Sequence, residues 1–186
     1  MKKIFLTFFV FAIMFIVTAK ADLVKPNIGI KPYQVVKIQL SGLMKNDEPN
    51  IDNGIKQTWE FAHPNNQKNT GPLENFKTML KGKSYSMLLN HSEHQVIEIY
   101  FSEDIATYEV TVLDLEKKYY KFKWQVEKYN KDGPLKDCWL TTAVSQPIAM
   151  GVINLVIFCR LNFSIFHFRR NIICFRGNVG VYSKKK

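Results

Sequence analysis

The hydrophobic period of this chain changes once, at Gly82, and that change limits what the chain can fold into. Before Gly82, apolar residues recur at helical spacing; after it they alternate. Helices first and short-turned strands after them predict an α+β domain with three N-terminal helices packed on one face of a curved antiparallel sheet. Pro32 suits a first helical position, and Val36, Leu40, Leu43 and Met44 follow on one face. Asn50 can cap a second helix with the stripe Ile51, Ile55, Trp59 and Ala62, which Pro64 stops. The third starts at Pro72, with Glu74 placed to reach back to free amides. Leu73, Phe76, Met79 and Leu80 form its apolar face, and Gly82 its left-handed exit. Strands are expected over Tyr85–Leu89, Gln95–Phe101 and Ile105–Leu115, then around Tyr120, Phe122, Trp124 and Val126, and over Asp137–Val144.

Charge divides the chain as sharply as periodicity does. Residues 22–147 hold sixteen lysines and sixteen carboxylates, so the formal +10 comes from the two ends alone. A domain without net charge has no field to draw phosphates, and no nucleic-acid partner is expected. Residues 1–21 read as a signal peptide. Lys2 and Lys3 precede an apolar run of about 14 residues, short of the roughly 20 that span a bilayer. Ala19 and Ala21 then supply the small residues of a cleavage site. A periplasmic or secreted product follows, with an uncleaved anchor as the alternative. The only three cysteines are Cys138, Cys159 and Cys174, so a single domain over 22–147 must fold without an internal disulfide.

Residues 148–186 read as a basic, apolar tail outside that domain. They contain every arginine and no carboxylate, as an extension such as a frame-shifted or read-through end would. The alternatives are a membrane helix over 148–168 and a membrane-surface segment. Arg160 near the middle of such a helix would cost about 2.5–3.5 kcal/mol.

Several blocks in the middle region resemble a known family. They are Asp52-Asn53-Gly54-Ile55, Trp59-Glu60-Phe61-Ala62-His63-Pro64, Thr70-Gly71-Pro72-Leu73-Glu74-Asn75-Phe76, and Asp137-Cys138-Trp139-Leu140-Thr141-Thr142-Ala143-Val144. In that order they are similar to the bacterial and plant family catalogued as domain of unknown function 4864, over roughly residues 32–147. That family usually has serine where this chain has His63, and often glycine where it has Asp137. The resemblance implies a cone similar to nuclear transport factor 2-like proteins, with a pocket between helices and sheet, and it brings no established activity.

The motif residues also have structural roles: Pro64 and Gly71-Pro72 punctuate helices, Gly54 permits close packing, and the aromatics fill volume. A ligand pocket would draw on Trp59, Phe61, Met79, Trp124 and Trp139, which suit a flat apolar molecule. His91-Ser92-Glu93-His94 lacks a third ligand at suitable spacing, so no metal is expected, and no cofactor either. Cys138 reads as a small buried thiol rather than a nucleophile. The function expected is a small exported binding or accessory domain. Its partner is a small molecule or a protein, a second copy of the chain included, and a membrane only if 148–168 inserts. The alternative is an isomerase or hydratase, for which the fold resemblance offers Asp137, Glu60 and His63 as acid/base candidates.

Overall fold

The computed structural model describes residues 22–150, so the expected signal peptide and all of the tail beyond Met150 lie outside the described residues. Four helices come first: α1 (Pro32–Met44), α2 (Asn53–Glu60), α3 (Pro64–Thr70) and α4 (Leu73–Lys81). A 3-10 turn at Ser86–Leu88 leads to β1 (Glu93–Phe101), β2 (Ile105–Leu113), β3 (Tyr119–Lys128), β4 (Trp139–Val144) and β5 (Ile148–Met150). The class is α+β. The sheet is an open antiparallel meander in the order β1-β2-β3-β4, because each turn is too short for anything but a reversal. β4 covers only the Trp124–Lys128 half of β3. Ile148–Met150, the first residues of the segment assigned to the tail, pair with Tyr119–Lys121 in the other half. Among the described residues no helix is long and apolar enough to cross a membrane.

Alternation sets the inner face. Ala106, Tyr108, Val110 and Val112 of β2 lie beside Phe122, Trp124 and Val126 of β3, all buried. Onto them α1 presses Val35, Val36, Leu40 and Leu43, while Ile55 and Phe61 join the same core. α1 and α2 cross closely at Gly42 and Gly54.

Six local expectations need correction. Pro64 ends α2 but also starts a helix of its own, α3, with His63 Nδ1 accepting from the Asn65 amide at 3.1 Å. The sequence of α3 is wholly polar and carries no apolar stripe to announce it. Asn50 does not cap α2. Asp52 occupies the cap position in left-handed backbone, φ 63°, and Ile51 is 75% exposed rather than buried. The capping comes from across the fold, where Asn46 accepts from Gly54 N through its carbonyl and from Ile55 N through Oδ1. Tyr85–Leu89 is not a strand, because its amides bond back to Gly82, Tyr85 and Ser86 within the turn. Gly82 leaves α4 in extended backbone, φ −72°, and Glu74 pairs with Lys77 at 2.6 Å instead of capping.

The Gly42–Gly54 crossing gives a direct prediction. A Cβ on Gly54 would overlap the Gly42 carbonyl and lie 2.9 Å from Asn46 Cα, both backbone groups that cannot swing away. Gly54→Ala is expected to destabilise the domain by about 3 kcal/mol, read as a lower urea midpoint with an unchanged slope.

Candidate functional site

A cleft of about 270 Å³ opens between the helices and the β4 side of the sheet. Apolar walls come from Leu43, Trp59, Phe76, Met79, Leu80, Leu88, Trp124 and Val144 among others, and Gln39, Thr58, Asn66, Thr70, Thr141 and Thr142 add uncharged polar groups to the lining. Trp59 and Phe76 pack with their rings tilted by 47° and 5.0 Å between centroids, so α2 and α4 share one aromatic wall. The opposite wall is held by backbone. Thr141 N donates to Phe61 O at 2.8 Å and His63 N donates to Thr141 O at 2.9 Å, a parallel bridge that fastens the end of α2 to β4. Asn66 Nδ2 of α3 adds bonds to the Thr141 and Thr142 carbonyls, at 3.0 and 2.7 Å.

The deepest polar groups form one connected set. Gln39 Oε1 accepts from Trp124 Nε1 at 3.1 Å and from Thr141 Oγ1 at 2.6 Å, while Gln39 Nε2 donates to Thr58 O at 3.0 Å. Nearer the edge, Tyr85 Oη reaches Val144 O at only 3.4 Å, and burial pushes its phenol above the ordinary range. No carboxylate, imidazole, ammonium or thiol lines this cleft among the described residues. It can hold an uncharged body and offer a few hydrogen bonds, and it has no proton-transfer pair.

Of the five residues expected to form a pocket, the structure brings three together: Trp59, Met79 and Trp124. Phe61 is fully buried in the core, where its carbonyl rather than its ring serves the cleft wall. Trp139 sits at the start of β4 against Phe101, ring centroids 6.3 Å apart, with Lys128 Nζ 5.6 Å from its ring centroid. Gln39 is the residue that sequence reasoning missed. It lies in the buried stripe of α1 between Val35, Val36, Leu40 and Leu43, and a polar residue inside an apolar stripe is the signal that could have found it.

The acid/base candidates do not line the cleft. Glu60 pairs with Lys25 at 2.7 Å, His63 caps α3 beside Tyr129, and Asp137 turns the chain at φ 64°. Burial lowers the His63 imidazole below its ordinary range. Cys138 is a free, buried thiol whose pKa burial pushes up, which leaves it a poor nucleophile.

His91 and His94 do meet, but as a structural relay. His91 Nδ1 lies 2.7 Å from Leu88 O, which can only accept, so that nitrogen carries the proton. Its Nε2 is then left to accept from His94 Nδ1 at 2.8 Å. No group of three or more metal-ligating side chains occurs among the described residues. Burial pushes His91 down to about 4; burial and the Lys37 ammonium also lower His94. A folded pKa below the unfolded 6.5 means that the unfolded chain binds the proton first. Stability from His91 is therefore complete above about pH 6.5 and is lost as pH falls towards about 4. Denaturant unfolding is expected to show a loss on the order of 2 kcal/mol between about pH 7.5 and pH 5. His91→Gln, which keeps a donor for Leu88 O, should flatten that dependence.

Residues 30–145 match the family model described as Domain of unknown function (DUF4864). No curated protein and no solved structure matches the chain.

Proposed function

The chain belongs to that family, and from its geometry we propose a small exported binding or accessory domain whose cleft takes up a flat, uncharged, mostly apolar small molecule. One observation carries the reading: the cleft is lined mostly by aromatic and aliphatic side chains, its polar groups are all uncharged, and its floor is held by a bonded polar set. A cavity of about 150 Å³ with apolar walls holds benzene, so about 270 Å³ suits a one- or two-ring molecule. Trp59, Phe76 and Met79 supply its faces, and Tyr85 a polar contact at the edge. Export rests on the leader-like residues 1–21. Kinship with nuclear transport factor 2-like cones belongs to the same reading, and what supports it is a layer of helices followed by an antiparallel meander with a cleft between them. An acid/base enzyme is the weaker reading, because its candidate residues do not line the cleft.

2-Naphthol is a neutral probe of suitable size and shape. Saturable quenching of tryptophan fluorescence is expected, with Kd in the roughly micromolar to millimolar range for so few atoms. Ala143→Trp puts an indole into the cleft from an exposed strand position, and should weaken binding at least about tenfold with little change in Tm. Absence of saturable binding, or equal binding by the variant, would remove the cleft from consideration. Export is checked separately by the mass of protein recovered from the periplasm, expected to begin at Asp22.

A further inference from the structure

Gln39 is 1% exposed, yet it bounds the cleft. Its amide orientation is set by its partners. The Thr58 carbonyl can only accept, so it must face Nε2; the Trp124 indole can only donate, and it shares its hydrogen between Gln39 Oε1 at 3.1 Å and Thr141 Oγ1 at 3.3 Å. The oxygen is saturated by two donors, Trp124 Nε1 at 3.1 Å and Thr141 Oγ1 at 2.6 Å. The nitrogen uses one of its two hydrogens, on Thr58 O at 3.0 Å, and among the described residues nothing accepts the second. The neighbouring hydroxyls donate to Gly54 O and to Gln39 Oε1, Thr141 Oγ1 also accepts from Trp124 Nε1 at 3.3 Å, and neither hydroxyl accepts from Gln39 Nε2. The floor therefore offers a spare donor, and its one amide oxygen is full.

We infer that the ligand of this cleft carries a neutral hydrogen-bond acceptor at its inner end, a ring ketone, lactone or ring nitrogen, received by the second N–H of Gln39. This rests on the cleft reading proposed above and adds the polarity of the ligand. A carboxylate is excluded because no cation in the lining would offset its desolvation. A group that can only donate finds the amide oxygen already occupied. A bare hydrocarbon gives the amide hydrogen no partner, and a site with a waiting donor discriminates against such an analogue.

Indane and 1-indanone differ essentially by one carbonyl and make the test pair. With the full chain, 1-indanone is expected to bind at least about tenfold more tightly than indane. In nitrogen-15 correlation spectra, one of the two Gln39 side-chain amide protons should shift with 1-indanone and stay in place with indane. Gln39→Met, close in volume and without the amide, should bring the two affinities together; should that variant fail to fold, the wild-type amide signal decides alone. Equal affinities or an unmoved Gln39 amide would overturn the acceptor while leaving the cleft in place. If neither compound binds, the cleft reading falls and the inference with it.

Discussion

How the helices sit on the sheet at the floor of the cleft turns on one buried amide. Gln39 projects from α1 and binds α2 through the Thr58 carbonyl, β3 through the Trp124 indole and β4 through the Thr141 hydroxyl. Apolar packing brings the layers together without fixing how they sit, since it has no direction. Four groups whose hydrogen bonds are directional supply it. Leaving any one of them buried and unpaired costs about 1–3 kcal/mol, a sizeable part of the net stability of a domain this size.

A gap is left where the helices diverge from the sheet beyond that hub. Trp124 and Gln39 form its inner end, and Trp59 with Phe76 one side. The other side is β4, tied to the chain after α2 by the bridge at Ala62 and Thr141 and to α3 by Asn66. These ties are backbone or backbone-directed, so they hold the cleft open with little dependence on what fills it. Across the same core, the His91–His94 relay anchors the Leu88 carbonyl, and Leu88 lines the cleft.

How much of this could be read from the residues depends on the range of the interaction. The alternation of Tyr120, Phe122, Trp124 and Val126 announces β3, because a half-buried strand writes its period directly into the sequence. The meander and the α+β class follow from that and from short turns. α3 was invisible because polar side chains and a neighbouring strand hold it in place of an apolar stripe. The cap of α2 was misplaced because Asn46, not the adjacent Asn50, satisfies its amides. The cleft was half legible. Aromatic residues marked Trp59 and Trp124, but aromatics also fill core, and Phe61 and Trp139 went elsewhere. Gln39 stood in plain sight as the one polar side chain in the buried stripe of α1.

The central claim is that the Gln39 hub locks helices to sheet and opens only when the whole domain unfolds. Hydrogen exchange of the Trp124 indole N–H tests it most directly. That proton is expected to exchange as slowly as the slowest core amides, with the protection of global unfolding, and far more slowly than the indole of the half-buried Trp59. Exchange of Trp124 at the rate of Trp59, well ahead of the core amides, would show that the layers part locally and would contradict the account.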